Sequence, residues 1–384
     1  MSKSKIEWTD VVWNPVAGCS KVSAGCKHCY AERMAARCVA MGVEKYVGTV
    51  DGAGRWTGKV NFDEKALLAP LGWRKPRMVF VNSMSDLFHP EVPFEWVDRV
   101  FAVMALCPQH VFQVLTKRPE RMAAYLVSPF RAGDEIHDAI SDIQAARMTE
   151  SEHWSADHDV PAWPLPNVWL GASVENQAMA DERVPVLLGC PAAVRFLSCE
   201  PLLGAVDLSA WLVERKRTHM AVSVAGALRN KAFYGFTDGS GKLMSKAAAK
   251  AELLRLQAHG VEVIPMDGCD DFDPKEGCRG HAEPRLDWVI CGGESGVGSG
   301  IRPMHPDWAR GLRDQCVGSG VPFFFKQWGE WAPDCLHEGP ACRAIPRPEP
   351  GKPGCMFHCG KKRAGRVLDG RVWDGMPGQL IVDS

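Results

Sequence analysis

Val168-Trp169-Leu170, followed by Gly171-Ala172-Ser173-Val174-Glu175-Asn176, is an apolar run that ends in a polar cluster and gives way to a stretch of helical character at 176–188. The same unit recurs along the chain. Met78 to Val81 leads into Asn82-Ser83-Met84-Ser85-Asp86, Val111 to Leu115 into Thr116-Lys117-Arg118, and Val194 to Leu197 into Ser198-Cys199-Glu200-Pro201. Trp288 to Cys291 leads into Gly292-Gly293-Glu294-Ser295, and Val321 to Phe325 into Lys326-Gln327. Continuous apolar runs are what parallel strands show when helices cover both faces of their sheet. Strands alternating with helical segments such as 94–106 and 306–316 predict an α/β fold, a complete or partial parallel (β/α) barrel with insertions. Sites in such barrels lie at the C-terminal strand ends, where these polar clusters fall. A single cluster reads equally well as a helix cap or a turn; six in series predict a shared polar mouth.

No fixed-period repeat is present, which argues against a solenoid or propeller. The barrel is expected over residues 1–330. It is interrupted by a surface excursion at about 128–166 and by a longer insertion at about 211–285, with a helix at 245–259 and a short strand at 261–265. Residues 331–384, rich in Pro, Gly and Cys, are expected to be an irregular C-terminal extension.

The chain has 384 residues, 46% hydrophobic and 24% charged, with a formal net charge of −1. That composition favours neither a disordered nor a membrane protein, and no apolar run approaches the roughly 20 residues needed to span a bilayer. The N-terminal MSKSKIEWTD lacks the apolar core of a secretory signal, so the expected location is the cytoplasm. Charge supplies no global attraction to nucleic acid and leaves room for a local basic channel. Fifteen cysteines in a reducing compartment are better read as metal ligands and buried small apolar residues than as a disulfide scaffold.

Cys19, Cys26 and Cys29 form C-x6-C-x2-C on a glycine-punctuated polar loop ahead of the helical 31–40. Three thiolates suit three irons of a four-iron cluster and leave the fourth iron open. Two other readings remain: a structural zinc site with His28 as a further ligand, and a set of unrelated buried thiols. Cys269, Cys278 and His281, and Cys342, Cys355, Cys359 and His358, match no standard metal spacing, although either set could supply a second site.

The runs IEWTDVVWNPVAGCSKVSAGCKHCYAERMA, VFVNSMSDLFHPEVP, FQVLTKRPERM, NVWLGASVENQ, VRFLSCEPLLG, LDWVICGGESG, RPMHPDWARGLRDQC, VPFFFKQWG and GRVLDGRVWDGMP extend from Ile6 to Pro377. Together they resemble a phage- and prophage-associated three-cysteine-motif family of the radical S-adenosylmethionine superfamily. The resemblance implies a barrel of the radical type, with Cys19, Cys26 and Cys29 as ligands of a [4Fe-4S] cluster. It also implies S-adenosyl-L-methionine on the open iron, cleaved to a 5′-deoxyadenosyl radical, and an electron donor such as a flavodoxin or ferredoxin. Ser173 and Glu175, at the end of the 168–170 run, are placed like residues that contact the cofactor in that superfamily. Asn82, Ser83 and Asp86, at the end of the 78–81 run, stand where the superfamily has a Gly-Gly-Glu segment. The Gly292-Gly293-Glu294 of this chain ends the 288–291 run instead. Phage association points to a nucleobase or nucleotide substrate, with phage thymidine hypermodification as one form. Base repair of the spore photoproduct lyase type is an alternative, as is a zinc-stabilised nucleic-acid-binding protein without redox chemistry.

The remaining strand-end residues divide by chemistry. Lys326, Glu200 and Glu294 are candidate catalytic groups, able to relay protons or hold a substrate amine. Thr116, Lys117, Arg118, Arg302, His305 and Gln327 are candidate substrate contacts, the arginines suiting a carboxylate or phosphate. Helix capping, a solvated turn and a surface loop are the competing readings for these positions.

Overall fold

The apolar runs become one parallel sheet because helices cover one face and aromatic rings fill the other. The computed structural model describes residue 4 and residues 6–126, 135–146, 163–213, 284–296, 300–333 and 356–378, with the backbone alone at 272–273, 277–278, 342–345 and 354–355. Seven strands lie side by side in chain order: β1 (Val11–Trp13), β2 (Met78–Val81), β3 (Val111–Thr116), β4 (Val168–Ser173), β5 (Val194–Cys199), β6 (Trp288–Gly292) and β7 (Phe323–Gln327). Every neighbouring pair is parallel. The chain therefore returns to the same end of the sheet between strands, with α1 (Tyr30–Ala40), α2 (Phe94–Ala105), α3 (Pro119–Leu126), α4 (Ile136–Ala145), α5 (Gln177–Leu188) and α6 (Pro306–Gly318) in these connections.

Alternation along each strand separates two faces. Val79, Val81, Phe112, Val114, Leu170, Leu197, Val289 and Phe325 join the helices in the main core. Phe196, Trp288, Ile290 and Phe324 point the other way and close around Trp8. The Trp8 ring lies 4.7 Å from Phe80 on β2, 6.5 Å from Phe196 on β5 and 6.2 Å from Trp288 on β6. One ring reaches strands that far apart because the sheet curls around it into a partial barrel. The lower interior is thus an aromatic plug, and only the upper end is free to be polar.

Several expectations need correction. Val11–Trp13 is a strand that the six apolar runs did not include, since three residues between polar neighbours carry no run signal. Strands β3, β4 and β5 continue to Thr116, Ser173 and Cys199, so part of each polar cluster is strand rather than loop. The excursion at 128–166 contains α4, whose Ile136, Ala139, Ile140 and Ile143 are buried. The extension at 331–384 is not irregular throughout. It contains strands at Trp331–Ala332, Cys342–Ile345 and Gly354–His358 and a hairpin of Val367–Leu368 with Arg371–Val372. It then runs antiparallel along β7, where Phe325 N–H donates to Trp373 O at 2.9 Å and Gly375 N–H to Phe323 O at 3.0 Å. The physical reason is the free edge of β7, whose unpaired peptide groups the tail satisfies. The helix expected at 245–259, the strand at 261–265, Cys269 and His281 lie outside the described residues, as do the side chains of Cys278, Cys342 and Cys355. No helix among the described residues is long and apolar enough to cross a membrane.

Gly171 is required by close approach. A Cβ there would stand 2.5 Å from the outer atoms of the Phe196 ring on the neighbouring β5. Gly171→Ala is therefore expected to cost about 1–3 kcal/mol by overpacking. Adding Phe196→Leu should recover part of that loss, measured as the urea midpoint of the single and double variants.

Candidate active site at the open end of the partial barrel

The cysteine loop leaves β1 and is laid along the end of β2 by side-chain bonds to its backbone. Asn14 Oδ1 accepts from Met84 N–H at 3.0 Å and from Ser83 Oγ at 3.2 Å. Asn82 Oδ1 accepts from Val16 N–H at 3.3 Å, and Ser85 Oγ donates to Val16 O at 2.9 Å. Gly18 has φ of +99° and pairs with Ser85, and a Cβ on it would stand 2.1 Å from Lys59 O. Both the left-handed backbone and the contact exclude a side chain just before Cys19.

Two buried ionic clusters then grip the loop at its two ends. Near Cys19, Asp86 accepts from Thr116 Oγ1 at 2.7 Å, Arg118 Nη1 at 2.7 Å, Phe88 N–H at 3.0 Å and Lys117 N–H at 3.2 Å. The other arm of Arg118 donates to Ser20 O and Ser20 Oγ, both at 3.0 Å, and its Nη1 is 3.9 Å from Cys19 Sγ. His89 Nδ1 accepts from Glu91 N–H, so Nε2 carries the proton toward Ser20 Oγ at 2.7 Å. Burial, with the Arg118 charge, keeps the His89 pKa below its ordinary value. Burial first and the Asp86 charge second push the Cys19 thiol up to about 12, with Arg118 opposing. Near Cys26, Glu175 accepts from Gly25 N–H at 3.1 Å and from Arg183 Nη1 at 3.2 Å. Burial alone would raise the Glu175 pKa, but bonding from Ser23 and Gly25 and the charges of Lys117 and Arg183 hold it low.

Across the mouth, alternation turns Ser173, Ser198, Gly292 and Lys326 inward. Lys326 Nζ lies 3.1 and 3.3 Å from the two oxygens of Glu200, which also accepts from Ser198 Oγ at 3.1 Å. This pair leans over Gly292, where a Cβ would stand 2.5 Å from Glu200 Oε1. Glu294 forms a separate pair with Arg302, whose N–H donates at 2.8 Å and Nε at 3.0 Å. Burial would raise the Glu294 pKa, but Arg302 and then the His28 charge hold it low.

The sequence-selected residues therefore fall into groups. Asn82, Ser83, Asp86, Thr116, Arg118 and Glu175, selected as cofactor or substrate contacts, bond to the cysteine loop or to each other. Lys117 engages through its backbone, and its ammonium stays partly exposed beside Glu175. Ser173 offers its carbonyl to Arg183 at 2.8 Å while its side chain faces the mouth. Gln327 is not free for substrate, since its amide bonds Gly293 O at 3.1 Å and Gly329 N–H at 2.8 Å. His305 caps α6 through Nδ1, 3.2 Å from Asp307 N–H, and is buried. Sequence reasoning missed Asn14, Ser20, His89 and Arg183. For Arg183, 2% exposed, no linear signal exists, since a helical arginine ordinarily reads as solvated.

Cys19, Cys26 and Cys29 share one loop, and Cys29 is close enough to Cys19 to raise its pKa slightly. Among the described residues no three His, Cys, Asp or Glu side chains are gathered closely enough to hold one metal ion. The three thiols are soft donors of the kind an iron–sulfur cluster takes, one to each iron, and their loop is held at Ser20 and at Gly25. Cys359 and His358 are turned to other contacts, Phe357 O at 3.2 Å and the Trp331 ring at 5.0 Å.

Arg118→Ala is expected to lower stability by about 3–5 kcal/mol, the usual result of stranding one member of a buried pair. Thr116→Val, removing one bond to Asp86, should cost about 1–2 kcal/mol. In both, hydrogen exchange of the loop amides from Ser20 to Gly25 should quicken while that of the β4 amides stays slow, read by mass spectrometry. For Glu294 the depressed pKa means stabilisation present above the ordinary carboxylate value and lost as pH falls through the depressed one. The stability gap between wild type and Arg302→Gln should accordingly close on acidification, followed by thermal unfolding from pH 7 downward.

Comparison with curated proteins and with solved structures gives no match. A family model does match, over residues 3–377, and carries the description "Protein of unknown function (DUF5131)". Since that span takes in the cysteine loop, all seven strands and the tail along β7, the chain belongs to this family.

Proposed function

We propose that the chain is a radical S-adenosylmethionine enzyme whose cluster is held by Cys19, Cys26 and Cys29 and whose substrate is a nucleobase or nucleotide. The observation that carries this reading is the cysteine loop itself. Three thiols sit on a segment fixed over the C-terminal ends of parallel strands by Asp86–Arg118 at one end and Glu175–Arg183 at the other. Such a cluster, with one iron free of protein ligand and an electron received from a donor of the flavodoxin or ferredoxin class, would supply the one-electron reduction that cleaves S-adenosylmethionine and so a radical able to take hydrogen from carbon.

The chain's own residues do the positioning. Glu175 and Arg118 hold the loop, so they act through the cysteines rather than on substrate. Ser173 at the end of β4 and Lys117 just past β3 are polar groups left to meet a cofactor. Glu200 and Lys326 place a carboxylate acceptor beside an ammonium donor, their side chains 13% and 17% exposed. A pyrimidine edge presents the matching pair, an imide N–H beside a carbonyl oxygen, which favours a base over an aliphatic substrate. The aromatic plug beneath them excludes water from the floor of the mouth, so that a radical would meet substrate before solvent.

Iron and sulfide analysis after anaerobic purification tests the reading directly. Wild type should carry about four of each per chain, and Cys26→Ala should lose most of both together with adenosine cleavage. One equivalent of zinc and no brown chromophore would instead support the zinc-stabilised binding protein. Lys326→Ala should keep the cluster and uncoupled cofactor cleavage while product formation falls by about 10²–10⁴, the usual contribution of a positioned acid or base. Equal loss of cluster in Lys326→Ala and Glu175→Gln would refute this division of roles.

A further inference from the structure

The chain is nearly neutral overall, with a formal net charge of −1, yet cations collect beside the mouth. Lys361-Lys362-Arg363-Ala364-Gly365-Arg366 carries four within six residues. The turn is fixed at the rim through Glu330, whose Oε2 accepts from Lys361 N–H at 3.2 Å and whose Oε1 accepts from Gly296 N–H at 3.1 Å. On the far side of Gly296 stands Arg33 of α1, its Nη1 3.1 Å from where a Cβ of that glycine would be. His28 lies similarly against Gly300, which brings its neighbour Lys27 to the same edge. Lys361 pairs with Glu7 and Arg366 with Asp374, whereas Lys27, Arg33, Lys362 and Arg363 have no acidic partner among the described residues. Lys27, Lys362 and Arg363 are exposed, so the cysteine loop and the tail turn each present to solvent a cation without an ion-pair partner among the described residues.

We infer that this rim binds the phosphodiester backbone of a nucleic-acid strand, so that the base reaching the mouth belongs to a polynucleotide rather than to a free nucleoside. The inference rests on the nucleobase reading above. A single phosphate would need one fork of donors, but here the cations are spread over two segments linked through Gly296 and Glu330, which suits successive phosphates of a strand. Lysine at 27 and 362 and arginine at 33 and 363 carry no base-reading geometry, so they would set position and affinity and leave sequence choice to the mouth.

The test is binding of a fluorescein-labelled single-stranded oligonucleotide to the anaerobically purified protein without reductant or S-adenosylmethionine, across a salt series. Wild type should bind with a steep salt dependence. Lys362→Glu combined with Arg363→Glu should weaken binding about tenfold or more at low salt and reduce the slope of log K against log salt by about 1.4, two phosphates at about 0.7 each for single strands. Arg371→Glu makes a charge reversal on the tail hairpin, where the guanidinium stacks on Trp373, and should leave affinity within twofold of wild type. The inference is overturned if wild type binds no oligonucleotide, if Arg371→Glu weakens binding as much as the pair does, or if polyglutamate competes as well as the oligonucleotide. Binding is read without turnover, so failure of the radical chemistry would show as intact binding with no cluster. Failure of the rim would show as intact cofactor cleavage with no oligonucleotide affinity.

Discussion

The Asp86–Arg118 pair is the interaction on which the arrangement of the open end depends. Asp86 follows β2 and Arg118 follows β3, and the carboxylate accepts from one side chain and two backbone N–H groups besides the guanidinium. Arg118 in turn reaches Ser20 and approaches Cys19. With side chains only 8% and 10% exposed, both charges have left water, and such a pair is tolerable only when nearly every lone pair and proton is satisfied. That condition is met by drawing three separate chain segments to one point. The geometry of the cysteine loop follows from the electrostatic need of a pair that contains no cysteine.

Glu175 and Arg183 repeat the arrangement at the other end of the loop, deeper still. A segment with little apolar surface is thereby fixed by charge rather than by packing. Its residues from Val22 to Lys27 are mostly exposed or half-buried, and their order comes from Gly25 N–H and Ser23 meeting Glu175. Below, the partial barrel is closed by Trp8, Phe196, Trp288 and Phe324, so function is confined to one end of the sheet. Above, Glu200–Lys326 and Glu294–Arg302 keep the mouth polar without leaving bare charge beside the plug. The open edge of β7 is covered by the tail, which also sets the basic turn at 361–363 beside the mouth.

Six of the seven strands, their parallel sense and the polar character of their C-terminal ends were legible because parallel buried strands must be apolar throughout and their C-terminal ends need not be. Val194 to Leu197 and Trp288 to Cys291 announce themselves in this way. The roles of residues within the open end were far less legible. Thr116, Arg118 and Glu175 have the right chemistry to hold a ligand, and nothing in their local sequence distinguishes that from holding the loop. Gln327 looked like a rim residue, and its amide is consumed by the turn that follows β7. Arg183 and His89 were invisible, since each acquires its partner from a segment remote in sequence.

What the sequence by itself determined is the set of local preferences: apolar runs that can only be buried strands, glycine where backbone or ring comes too close for a side chain, and three thiols on one loop. What the tertiary structure decided is the pairing of charges. An aspartate and an arginine 32 residues apart, or a glutamate and a lysine 126 apart, have no mutual signal along the chain. They become partners because sheet curvature brings strand ends together in a place with too little water to solvate either charge alone. Burial creates the penalty and proximity offers the remedy, and both exist only once the barrel has formed.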